Sequence, residues 1–428
     1  MLLKNGYVID AKNNVQEVMD VYIENNIIKE IGKNLNKSNC EIIDCTNKWI
    51  VPGLIDLHVH LREPGFTHKE NIKTGTKSAA AGGVTTICAM PNTKPVIDSR
   101  FLMEAINLKF EKEAVVNVLQ IGAITKGQNG ETLTPIADMK LGGACGISED
   151  GKTVVNSKLM KDALEISKEL DMLVLCHCED DNLKNNGVIN EGLAAEKFDL
   201  MGITEDTEDI ITARDIFLGN ALQSRIHICH VSTKGSVNII RENKLKNPNL
   251  TAEVCPHHFI LTDRDIQEDD GDYKMSPPIR DITSKNEIIK GLQDGTIDCI
   301  ATDHAPHHYN EKLGGFKRAA NGIVGLETLV PLTITELVKT NLITPLEFVE
   351  KTSYNPAKIL KLDKGTIEAG KIADITIIDP NKKFRINKDE FYSKSSNTPF
   401  HNKEVYGMVE YTLVNGKVAY RKGEICQN

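Results

Sequence analysis

The chain has 428 residues, 40% of them hydrophobic and 26% charged, with a formal net charge of −9. That composition excludes a disordered polymer, and the acidic balance argues against a basic surface for non-specific nucleic-acid binding. No charge-free apolar run approaches the roughly 18 residues of a membrane helix, residues 1–6 lack the pattern of a signal peptide, and ten scattered cysteines with no CxxC pair read as reduced thiols of a cytoplasmic protein.

Residues 1 to about 50 read as short strands at 2–3, 6–9, 18–23 and 27–31, with Asn25-Asn26 as a tight turn. The middle has another rhythm. Apolar or β-branched runs at 53–60, 84–91, 115–124, 141–148, 172–177, 225–231, 250–256 and 298–303 alternate with helix-like stretches such as 69–81, 157–170 and 207–222. Further helices are expected at 326–338 and 345–351. Eight strands alternating with helices predict an α/β fold, a parallel sheet closed into a (β/α)8 TIM-like barrel over residues 51–362. An open doubly wound sheet is the alternative, but no GxGxxG follows the first strand. At the C-terminus, 373–378 and a hairpin over 411–420 through Asn415-Gly416 restore the strand texture. Residues 1–50 and 363–428 are therefore expected to build one small β-sandwich from both termini.

Polar residues interrupt the barrel strands at their ends. His58 and His60, at i and i+2, share one face of a strand, about 7 Å apart, and can reach one metal ion. Runs ending in His177, in His230 and in Asp303 repeat the pattern at the face where barrel enzymes carry their sites. One such histidine is ordinarily a satisfied core or turn residue. Four with an aspartate point to a metal centre. On regular strands Cys176, Cys178 and Cys229 would point away from their neighbouring histidines, as packed hydrophobes in the barrel–helix layer.

Asp56-x-His58-x-His60-x-Arg62-x-Pro64-Gly65, then Met90-Pro91-Asn92-Thr93, then Ala301-Thr302-Asp303-His304-Ala305-Pro306-His307 resemble the signatures of dihydroorotases in the amidohydrolase superfamily. Asn355-Pro356-Ala357 and Gly370-Lys371-Ile372-Ala373-Asp374 extend the resemblance to nearly the whole chain. It implies that His58, His60 and Asp303 hold one zinc ion and His177 and His230 a second, two per subunit, with Asp150 bridging as in the bacterial branch that uses an aspartate. Relatives such as hydantoinases and allantoinases bridge with a carboxylated lysine, and Lys152 leaves that formally open.

The family's reaction is the reversible cyclisation of N-carbamoyl-L-aspartate to L-dihydroorotate in de novo pyrimidine (UMP) synthesis. A zinc site acidifies water to hydroxide and polarises the ring carbonyl, and the resemblance implies that Asp303 would take the proton and pass it to the amide nitrogen as general base and acid. His60, Arg62, Asn92, Ser276, His307, Asn321 and Gly322 are the expected substrate contacts, with Arg62 on the substrate carboxylate. Ser276 stands where many relatives have Asn, and Asn321 replaces a commonly aromatic residue. His257, His258 and His304 are read as structural or supporting, and residues 309–317, with Gly314-Gly315 as hinge, as a mobile loop over the site. The resemblance also implies a homodimer and leaves association with aspartate carbamoyltransferase open, while the charge and the apolar runs argue for no nucleic-acid partner and no membrane. The competing readings are an allantoinase or hydantoinase-like cyclic amidase, and a metal-free amidohydrolase-like scaffold protein.

Overall fold

The computed structural model describes residues 1–426, so the last two residues of the expected sandwich segment lie outside the described residues. Eight parallel strands run in consecutive order: Leu54–Val59, Val84–Ala89, Asn117–Ala123, Gly146–Ser148, Leu173–Cys176, Ile226–Ile228, Leu250–Val254 and Cys299–Ile300. The first and last meet through a parallel bridge between Val59 and His304, where the His60 N–H donates to the His304 carbonyl at 2.9 Å. The sheet is thereby closed into the expected barrel.

Helices return the chain between strands, and short polar side chains start them. Asn71 accepts from the Thr74 N–H ahead of Ile72–Ala81, Thr233 from Ser236 ahead of Lys234–Asn243, and Asp281 from Ser284 ahead of Ile282–Gln293. One apolar cluster fills the layer between strands and helices, with Val84, Val174, Ile228 and Ala252 meeting Ala79, Leu164 and Val237. A smaller cluster of Ile55, Leu57, Cys88, Ile121, Leu175, Cys229 and Cys299 fills the barrel interior.

Several strand expectations shorten. The expected strand at 141–148 keeps only Gly146–Ser148, because Leu141 closes the helix Ile136–Leu141 and Gly143 turns at φ 101°. The eighth run keeps only Cys299–Ile300, with Asp303 at φ 46°. Residues 2–3 and 6–9 are one strand, Leu2–Asp10, whose register shifts around Asn5 at φ 59°. It joins strands from both ends of the chain in one nine-stranded sheet that wraps around its own core of Leu3, Val21, Ile50, Ile375 and Leu413. The expected turns at Asn25-Asn26 and Asn415-Gly416 have positive φ at both residues, the geometry of a type I′ hairpin.

Candidate metal and substrate site

Strand ends deliver the ligand candidates, but by kinks rather than by regular alternation. The ladder between the first two barrel strands slips between Asp56 and Val59, and His230 takes φ 36° beyond the end of its strand. The consequence is visible at Cys229. It lies in the barrel interior, not the outer layer expected for it, whereas Cys176 and Cys178 do lie in the outer layer. The left-handed turn at His230 breaks the period of two on which that expectation rested.

The six expected ligands converge. Asp150 Oδ1 is 3.2 Å from His58 Nε2, 3.3 Å from His177 Nδ1 and 3.5 Å from His230 Nε2, and its Oδ2 is 3.3 Å from His60 Nε2. Asp303 Oδ1 is 3.1 Å from His60 Nε2 and 3.5 Å from His58 Nε2. All six residues are buried. Burial acts to raise the Asp150 carboxyl, and the imidazoles of His58, His177 and His230 outweigh it, holding it well below the usual carboxylate range.

This donor set fits divalent metal. His58 Nε2 and Asp150 Oδ1 are buried without a hydrogen-bond partner among the described residues, and His177 Nδ1 stands 2.9 Å from His230 Nε2. Two imidazole nitrogens so close need a proton or a cation between them. His58, His60 and Asp303 form one group whose ligand atoms lie within 4.8 Å of one another, and His58, Asp150 and His230 another. Asp150 belongs to the side of His177 and His230 and also faces His58 and His60. Lys152 is exposed, with its ammonium on the Gln128 carbonyl at 2.8 Å, turned away from the centre.

A cavity of about 160 Å³ opens over the centre, lined by His60, Asp150, His177, His230 and Asp303 and by all the other expected substrate contacts. Arg62 reaches it from a loop residue at φ 59°, not from the strand face, and is anchored by its Nε–H to the Pro306 carbonyl at 3.1 Å. Burial lowers its guanidinium to about 10, still charged at neutral pH. Glu63 pairs with Lys109, which leaves Arg62 free of its neighbouring acid. Asn92 Oδ1 lies 2.9 Å from His60 Nδ1, so the amide oxygen accepts and His60 presents Nε2 to the centre. Ser276 donates to Glu179 Oε1 at 2.8 Å. The Asn321 carbonyl accepts from His307 Nε2 at 2.8 Å, and the Gly322 N–H is spent on the Lys274 carbonyl at 3.0 Å. Those backbone groups shape the cavity more than they offer free contacts.

Three residues were not singled out in the sequence. Glu179 and Lys184 line the cavity and pair with each other at 2.8 Å, and Glu253 lies 2.8 Å from His58 Nδ1. A charged residue inside the apolar run 250–256 is the signal that marks Glu253. The expected loop over residues 309–317 is folded into two one-turn helices, Tyr309–Lys312 and Gly315–Arg318. His257, His258 and His304 do not line the cavity, and His304 Nδ1 accepts from the Gly325 N–H at 3.1 Å.

Comparison with known proteins agrees with this geometry. Residues 47–236 match the family model described as dihydro-orotase-like and residues 243–420 the amidohydrolase family. A protein of Acetivibrio thermocellus named dihydroorotase is 49% identical over 99% of both chains, and one of Ruminiclostridium cellulolyticum with the same name is 44% identical over 99% of both. The crystal structure of dihydropyrimidinase from Brevibacillus agri superposes with a TM-score of 0.86 at 25% identity, covering 99% of this chain and 95% of that one. Identity of that order along the whole length, on an amidohydrolase barrel, means that the chain belongs to the dihydroorotase family of the amidohydrolase superfamily.

Proposed function

We propose that the chain catalyses the reversible, zinc-dependent cyclisation of N-carbamoyl-L-aspartate to L-dihydroorotate in de novo pyrimidine (UMP) synthesis. The observation that carries this is the presence of Arg62 in the same small cavity as three of the four ligand imidazoles, His60, His177 and His230, and both ligand carboxylates, Asp150 and Asp303. A charged guanidinium beside a cation site suits a substrate with a carboxylate at one end and a ring amide at the other.

His58, His60 and Asp303 would hold one zinc ion and His177 and His230 a second, with Asp150 shared between them. When bound, such ions polarise a carbonyl and acidify water. The chain's own groups do the rest. Arg62 and Asn92 hold the substrate carboxylate and fix the ring, His307 packs against the guanidinium, and the cavity wall from Ser276 to Gly322 excludes bulk water. Asp303 takes the proton from the attacking water and delivers it to the ring nitrogen, and runs the same transfer backwards during ring closure. The division into residues 51–362 for the barrel and 1–50 with 363–428 for the sandwich belongs to this reading. So do a homodimer, a cytoplasmic location and, as an open partner, aspartate carbamoyltransferase. Among the described residues no helix is long and apolar enough to cross a membrane.

The rival reading is a hydantoinase-like amidase. Curated relatives named dihydroorotase reach 43–49% identity, whereas the solved hydantoinase and dihydropyrimidinase structures lie at 23–26%, and Asp150 stands in the centre with Lys152 outside it. Steady-state turnover of dihydroorotate, allantoin and hydantoin by zinc-loaded and chelated protein decides between them. Turnover of dihydroorotate that chelation abolishes is expected. Preference for hydantoin would select the rival, and no bound metal with no turnover would leave a scaffold.

A further inference from the structure

Glu253 lies at the centre of a buried chain of hydrogen bonds that the reaction as described does not use. Its Oε1 is 2.8 Å from His58 Nδ1, and its Oε2 is 3.1 Å from His227 Nε2. His227 Nδ1 is in turn 2.8 Å from Thr251 Oγ1. His58, His227 and Glu253 are all fully buried. The strand register builds this chain. His227 on the sixth barrel strand pairs directly with Thr251 on the seventh, and Thr251 and Glu253 are two residues apart on one face.

The chemistry follows from the donors. A carboxylate with two histidine nitrogens against it accepts from both, so His58 carries its proton on Nδ1. Its other nitrogen, Nε2, is then a lone pair, and it is the atom that faces Asp150 and Asp303 with no hydrogen-bond partner among the described residues. We propose that Glu253 is a positioning residue of the metal centre: it fixes the tautomer and ring angle of His58, and His227 and Thr251 hold Glu253 in place. The other histidine of the pair has the same kind of support from Asn92, a neutral amide. Glu253 differs in adding a full negative charge behind the imidazole, which raises its basicity as a ligand. This rests on the metal reading proposed above.

Ring ¹⁵N resonances of His58 in metal-free wild-type protein test the tautomer, and competition with a chelator for zinc tests its consequence in Glu253→Gln. Protonation at Nδ1 is expected, with zinc retained about 10- to 100-fold less tightly by the variant and KM for dihydroorotate unchanged. A merely structural glutamate would shift the denaturation midpoint and leave metal affinity intact once the protein is folded. Should Glu253→Gln not fold, Thr251→Val loosens only the outer end of the chain and is expected to weaken zinc retention by a few-fold. A His58 ring protonated at Nε2, or metal retention equal to wild type in the folded variant, overturns the proposal. Wild-type protein that holds no zinc sinks the metal reading itself, so the two failures are distinguishable.

Discussion

The Arg62 guanidinium stands 3.3 Å from His307 through its Nη2, and the same His307 nitrogen donates to the Asn321 carbonyl at 2.8 Å. A nitrogen that donates to a carbonyl has no lone pair for Arg62. The imidazole therefore holds the guanidinium in place by contact and leaves its fork of donors open to the cavity. Burial, reinforced by the nearby charges of Arg62 and Lys69, pushes the His307 pKa far down and keeps the ring neutral.

Arg62→Met should consequently raise KM for dihydroorotate about 10- to 100-fold, the worth of roughly 1.5–3 kcal/mol for a charge-assisted hydrogen bond. Metal content should stay as in wild type, because Arg62 contacts Pro306 and His307 rather than a ligand. Kinetics paired with metal analysis check both halves. An unaltered KM would remove Arg62 from substrate recognition.

Asp303→Asn separates proton transfer from metal holding. The amide oxygen keeps the position 3.1 Å from His60 Nε2 but loses the ability to carry a proton. The expected fall in kcat is about 10²- to 10⁴-fold, measured at zinc concentrations that keep the variant loaded. A variant with wild-type kcat would show that another group moves the proton.

The parts of this site that the sequence reveals are those where a polar residue breaks an apolar run at a strand end: His58, His60, His177, His230 and Asp303. Each is local, and each survives the kinks that actually aim it. What depends on cross-strand register is not local. Glu253 is paired to its role by His58, 195 residues away, and Glu179 by Ser276, 97 residues away. Cys229 is misread for a related reason: it keeps the alternation of Ile226 and Ile228, and the left-handed backbone at His230 brings that histidine to the same inner side. The eight-strand rhythm is legible because each buried parallel strand is a continuous apolar run. The fourth strand is overestimated at its start, where Leu141 still belongs to the preceding helix, and the eighth at its end, where the run continues past Ile300.

Lys312 ties the substrate wall together. Its ammonium, nearly out of reach of solvent, donates to the carbonyls of Lys274, Ala320 and Gly322 at 3.1, 2.8 and 2.9 Å. Lys312→Met keeps the stem and removes the donors, at an expected cost of about 1–3 kcal/mol in denaturant unfolding. Because Asn321 and Gly322 line the cavity, KM should rise as well. Lost stability with an unchanged KM would make the lysine a structural tie only.

Glu327 sets a pH dependence away from the metal centre. Its carboxylate accepts from the N–H groups of Tyr392 at 2.8 Å and Ser393 at 3.1 Å. Burial nevertheless raises its pKa from 4.5 to about 7, with those backbone bonds only partly opposing it. Between these two values the folded protein holds a proton that the unfolded chain has released, so stability falls as pH rises through the window. The loss should amount to about 1–3 kcal/mol once pH exceeds the folded value. Glu327→Gln keeps an acceptor for both N–H groups and carries no charge. It should flatten the decline in unfolding free energy between about pH 5 and 8 and be the more stable protein at the alkaline end. Parallel slopes for wild type and variant would show that the carboxyl is already ionised in the fold across that range.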